Sequence, residues 1–128
     1  MANELILIIE DNVVNRTLVR DVLQFKGYRT LEAPTAEEGI ELAREKKPAL
    51  VLMDFHLPGM NGIEAFEILR ADAATSPIPV IAVTASAMPE DRKRMLEAGF
   101  DGVQTKPIHV KEFLQTVEQA LKKSAGQA

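Results

Sequence analysis

Apolar positions along the chain follow two patterns that alternate. Residues 5–9 and 50–53 are unbroken apolar runs, and each stops in acid, the first at Glu10 and Asp11, the second at Asp54. Runs of this length, bounded by turn formers, predict strands buried on both faces. Residues 28–33 form a weaker strand-like piece, 79–83 a fourth run ending at Thr84, and 100–105 a fifth ending at Lys106 and Pro107. Between them the period is helical. Val14, Leu18 and Val22 make one stripe, with Leu23 and Phe25 beside it, up to a stop at Gly27. Thr35 and Glu38 have capping-box spacing ahead of a narrow inner face of Ala36, Gly39, Ile40 and Ala43, closed by Lys46, Lys47 and Pro48. Ile63, Phe66 and Leu69 mark a third helix. Pro89, Glu90 and Asp91 suit the first turn of a fourth, which stops at Gly99. Val110, Phe113, Leu114, Val117 and Leu121 mark the last, and the small polar residues 124–128 are expected to be a disordered tail.

Five strands alternating with five helices over short connections imply a parallel sheet covered on both faces. The expected fold is α/β with the flavodoxin-like strand order 2-1-3-4-5, because right-handed crossovers leave few alternatives. That order sets the first and third strands side by side at the switch point, where Glu10, Asp11 and Asp54 would meet in one crevice. Thr84 and Lys106 end the neighbouring strands on the same rim.

Composition narrows the setting. The 128 residues suit one domain, 1–128, with a single core and no need of staples. Cysteine is absent, which removes disulfides, thiolate metal sites and cysteine nucleophiles together. No apolar run approaches the ~18 residues of a membrane span, and the first residues lack a signal-peptide pattern, so a cytoplasmic protein without membrane contact is expected. A net charge of −4 argues against nucleic acid as the principal ligand.

Three neighbouring carboxylates raise one another's pKa unless positive charge joins them. A hard dication answers this, and Mg²⁺ suits an all-oxygen cluster with room left for phosphate oxygens. Lys106 adds a fixed positive charge and Thr84 a hydroxyl donor. Such a set supplies what phosphoryl transfer needs, positioning and charge neutralisation, with Asp54 the central candidate nucleophile. Read one by one, the residues have plainer explanations. Asp54 equally fits a loop-capping aspartate, Glu10 and Asp11 a helix start, Thr84 a backbone partner and Lys106 an ordinary ion pair.

Taken together the motifs resemble the response-regulator receiver domains of two-component signalling, over nearly the whole chain. The matching residues are Glu10-Asp11, Asp54 with Leu57-Pro58-Gly59-Met60-Asn61-Gly62, Thr84-Ala85 and Lys106-Pro107. The resemblance implies that Asp54 accepts a phosphoryl group from a phosphohistidine on a histidine kinase or histidine phosphotransfer protein. It implies that Glu10, Asp11, Asp54 and the backbone carbonyl of His56 hold Mg²⁺, that Thr84 and Lys106 serve the transfer, and that Lys106-Pro107 is a cis peptide. His56 and Ser86 occupy positions that in the family tune the lifetime of the phosphoryl group. The signal would pass to a downstream protein partner, or the phosphoryl group onward, as in a receiver of a hybrid kinase; no effector domain is expected to follow. Beyond its own phosphorylation and dephosphorylation the chain is not expected to be an enzyme.

One departure stands out: Val103 occupies the position where the family usually has a reorienting aromatic residue. Three other readings share the fold. An aspartate phosphatase would want a carboxylate where His56 stands, a flavin carrier would not open its first loop with Glu10 and Asp11, and an unphosphorylated interaction module would not need all five residues.

Overall fold

The computed structural model describes residues 3–57, 59–85, 88–106 and 108–126, with side chains described as far as Lys122. The elements follow the order β1 (Leu5–Ile9), α1 (Val13–Phe25), β2 (Arg29–Ala33), α2 (Ala36–Lys46), β3 (Leu50–Asp54), α3 (Gly62–Ala71), β4 (Val80–Thr84), α4 (Pro89–Ala98), β5 (Gly102–Thr105) and α5 (Val110–Gly126). All four strand pairings are parallel, and the sheet order is β2-β1-β3-β4-β5, the expected flavodoxin-like arrangement.

β3 and β4 are buried at every position, which accounts for the apolar run that each carries up to its last residue, Asp54 or Thr84. Their side chains alternate between two cores. Leu7, Ile9, Val51, Met53, Val80 and Ala82 face α2, α3 and α4, while Ile6, Ile8, Leu50, Leu52, Ile81 and Val83 face α1 and α5. β2, at the edge, buries only Ala33 fully, which explains its weak signature. α2 lies close on β1 through the predicted inner face: a Cβ on Gly39 would stand 2.3 Å from Ile9 Cδ1.

The orientation of α1 differs from the sequence expectation. Val19 and Leu23 are buried, but Val14, Leu18 and Phe25 point outward, with Phe25 90% exposed. The helix carries two apolar stripes roughly 140° apart at 100° per residue, and periodicity alone does not say which one meets the sheet. Val22 sits between them, half-buried. α5 shows a smaller difference: Phe113, Val117 and Ala120 are buried and Val110 is exposed. Its backbone also continues as helix to Gly126, beyond Ser124 where the tail was expected to begin, while residues 127 and 128 lie outside the described residues.

Candidate functional site

Parallel strands all point their carboxyl ends the same way, so the residues that terminate β1, β3, β4 and β5 gather on one rim. β3 lies between β1 and β4. Asp54, the last residue of β3, is 6% exposed, and Glu10, just past β1, is 5% exposed. Asp11 follows on the surface. One carboxylate oxygen from each of Glu10, Asp11 and Asp54 lies within 4.8 Å of the others. Lys106, just past β5, reaches back over β4, placing Nζ 2.9 Å from Glu10 Oε1 and 3.2 Å from Asp54 Oδ2. Its backbone N–H donates to the Thr84 carbonyl at 2.7 Å, which ties the ends of β4 and β5 together. Thr84 is wholly buried, one residue beyond Val83, the partner of Asp54 across the sheet.

The local sequence fixes these carboxylates from the backbone side. His56 N–H donates to Asp54 Oδ1 at 3.0 Å, and Asn12 N–H to Glu10 Oε2 at 3.3 Å. Asn12 also caps α1, accepting from Asn15 N–H at 3.0 Å, and Asn61 caps α3 in the same way through Glu64 N–H at 2.9 Å. Gly62 donates its N–H to the Phe55 carbonyl at 3.0 Å, and a Cβ there would stand 3.0 Å from Phe55 Cα, so only glycine lets α3 start this close to Asp54. His56 exposes its ring, which packs edge-on to Phe55 at 5.3 Å.

Electrostatics split the two buried acids. Burial, followed by the hydrogen bond with Asp54, raises the Glu10 carboxyl to about 7 against the downward pull of Lys106. Burial also pushes Asp54 upward, but the bonds from Glu10, His56 N–H and Lys106 outweigh it and hold Asp54 below the usual carboxylate range. Of the two, Glu10 is therefore the acid that favours its proton and Asp54 the one that favours its charge, as neighbouring carboxylates do when they repel one another. Lys106 is raised: burial opposes its charge, and its bonds to Glu10 and Asp54 more than compensate. A cluster of hard oxygen donors with a raised acid among them fits a dication such as Mg²⁺, for which Glu10, Asp11 and Asp54 could each supply one ligand atom.

The structure therefore brings together Glu10, Asp11, Asp54 and Lys106, with Thr84 at the end of the adjoining strand and His56 bonded to Asp54 through its main chain. Ser86, Pro58 and Pro107, and with Pro107 the expected cis peptide, lie outside the described residues. Val103 is buried in the core under α4, opposite Ala82 of β4. Sequence reasoning missed Arg16, whose Nη1 donates to the Glu10 carbonyl at 2.9 Å, and the backbone bond from Asn12. Asn12 carries a readable signal, a capping residue directly ahead of a helix; Arg16 carries none.

Comparison with known proteins agrees with this geometry. Residues 6–118 match the family described as response regulator receiver domain. The polar-differentiation response regulators DivK of Brucella anthropi and Brucella ovis are each 40% identical over 116 residues, covering 91% of this chain and 94% of theirs. Among solved structures, a receiver domain of a sensor histidine kinase from Pseudomonas aeruginosa PAO1, with magnesium coordinated in its active-site cleft, is 30% identical. It superposes with a TM-score of 0.86 over 94% of this chain and 99% of its own. A CheY-like receiver domain protein from Methanospirillum hungatei JF-1 is 28% identical, with a TM-score of 0.89 over 99% of this chain and 100% of its own.

Proposed function

Because the chain belongs to the response regulator receiver domains of two-component signalling, we propose that it is phosphorylated on Asp54 by a phosphohistidine donor. The observation that carries this reading is the meeting of Glu10 and Asp54 at the Lys106 ammonium, beside an exposed Asp11. An Asp54 oxygen attacks phosphorus, the N–P bond of the donor imidazole breaks, and the leaving imidazole takes a proton from solvent. The product is an acyl phosphate. Asp54 suits this role because its lowered pKa favours the carboxylate, and because the His56 N–H fixes Oδ1 while Oδ2 is held beside the Lys106 ammonium.

Glu10, Asp11 and Asp54 would hold Mg²⁺, with the His56 carbonyl as a further ligand. When bound, Mg²⁺ screens the repulsion between these carboxylates and the incoming phosphoryl oxygens. Lys106 places a second positive charge where the transferred oxygens collect, and the Thr84 hydroxyl is the donor on the β4 side. In this reading the chain catalyses only its own phosphorylation and dephosphorylation. The donor is a histidine kinase or histidine phosphotransfer protein in the cytoplasm, and the phosphorylated form binds a downstream protein or passes the group on.

The test is intact-mass spectrometry after incubation with acetyl phosphate and Mg²⁺. One acid-labile phosphoryl group is expected on the native chain and none on Asp54→Ala. Equal labelling of both proteins rejects the assignment.

A further inference from the structure

We propose that Arg16 is a positioning residue for the metal-binding acids: anchored by Glu32, it holds the Glu10 carbonyl and is kept from pairing with the carboxylates themselves. This rests on the reading of Glu10, Asp11 and Asp54 as Mg²⁺ ligands, and extends it to the residue that fixes the loop carrying two of them.

The Glu10 peptide is held at both ends. Its N–H donates to the Ala33 carbonyl of β2 at 3.0 Å, the last bond of the β1–β2 ladder. Its carbonyl lies past the ladder and accepts from Arg16 Nη1 at 2.9 Å. The same guanidinium donates through Nε to Glu32 Oε1 at 3.3 Å, and its side chain is only 18% exposed. Arg20, one turn further along α1, reaches the other Glu32 oxygen at 3.8 Å but has no bond to Glu10. A planar fork can hold a carbonyl and a carboxylate at once in fixed directions, and an ammonium cannot copy that arrangement.

The placement matters because a cation sits six residues from Glu10 on a flexible stem. Released from Glu32, it would be free to turn toward the acids of the site, Asp11 on the surface and Glu10 beside it, and there it would compete with a dication. Glu32, which plays no part in the acidic cluster, therefore directs Arg16 toward the main chain. Residues that orient metal ligands from behind commonly change affinity by about 10–100-fold when altered.

Mg²⁺ titration of the full chain by isothermal calorimetry tests this. Arg16→Lys, which keeps the charge and loses the fork, is expected to raise the Mg²⁺ Kd about tenfold. Glu32→Gln, which frees the guanidinium, is expected to raise it in the same direction. Arg20→Lys alters the same ion cluster without touching Glu10 and is expected to leave the Kd within about twofold. Circular-dichroism melts of all three check that the folds are intact. A native Kd in Arg16→Lys, or an equal loss in Arg20→Lys, overturns the proposal. Absence of Mg²⁺ binding by the unsubstituted chain would instead overturn the metal reading, and this inference with it.

Discussion

The Lys106 ammonium stands 2.9 Å from Glu10 Oε1, nearer than its 3.2 Å approach to Asp54, so the cation that closes the site from β5 is bonded first to the acid on β1. Lys106→Met would leave two buried carboxylates facing each other with only the backbone N–H groups of His56 and Asn12 and protonation of Glu10 to relieve them. An unpaired buried polar group costs about 1–3 kcal/mol, more when charged. The substitution is expected to destabilise by that order at about pH 8 and by less at about pH 5, where protonation stands in for the ammonium. Urea melts at the two pH values measure the difference, and equal losses would contradict the pairing.

The raised Glu10 carboxyl gives stability a definite pH slope. Its folded-state pKa of about 7 lies above the ordinary 4.5, so the folded chain binds the extra proton. The contribution of this group is fully present below 4.5 and is lost as pH rises through about 7. Mg²⁺ takes the deprotonated form, and proton and metal therefore compete. The rise in Tm produced by Mg²⁺ is expected to grow from about pH 5.5 to about pH 8. Thermal melts with and without the metal check the sign; a gain that shrinks with pH would count against Glu10 as a ligand.

Gly62 sets how closely α3 approaches the carboxyl end of β3. An added Cβ would stand 2.9 Å from Phe55 Cδ1 and 3.1 Å from the Phe55 carbonyl oxygen, and the backbone there has little room to give. Gly62→Ala is expected to cost about 1–3 kcal/mol. Since Phe55 directly follows Asp54, the same change is expected to slow labelling by acetyl phosphate. Chemical denaturation and a labelling time course report the two effects separately.

The Arg70–Asp101 ion pair supports the sheet away from the site. Asp101 Oδ2 accepts both from Val80 N–H and from Arg70 Nη2, each at 2.8 Å, while Arg70 also donates to the Ile78 carbonyl at 2.6 Å and lies 4.6 Å over the Phe66 ring. Asp101→Ala strands the first N–H of β4 and is expected to cost about 2 kcal/mol. Asp101→Asn, whose amide oxygen still accepts from Val80, is expected to cost less. Equilibrium urea unfolding of both variants orders them.

The central strands were legible because burial on both faces leaves one solution, an apolar run, and because the acids that break those runs are costly to bury without purpose. Glu10, Asp11, Asp54 and Lys106 were legible for the same reason: strand ends in a parallel sheet share a rim once the order is known. Helix orientation was less accessible. α1 has apolar residues on two stripes, and only the packing against β1 and β2 decides that Val19 and Leu23 go inward while Phe25 stays in solvent. Arg16 was invisible because nothing in its helical position announces that its guanidinium turns back to the Glu10 carbonyl. That contact depends on β2 presenting Glu32 beside α1, a matter of sheet order and register. Val103 marks the opposite case, a departure evident in sequence whose structural counterpart is an ordinary buried core contact.

The most direct measurement locates the phosphoryl group itself. Borohydride reduces an acyl phosphate to the corresponding alcohol, so reduction after acetyl phosphate treatment with Mg²⁺, followed by peptide mass mapping, reports which carboxylate carried the group. The account predicts reduction at Asp54 alone. Modification at Glu10 or Asp11 in its place, or an unmodified Asp54 peptide from a chain that has taken up phosphate, would contradict it.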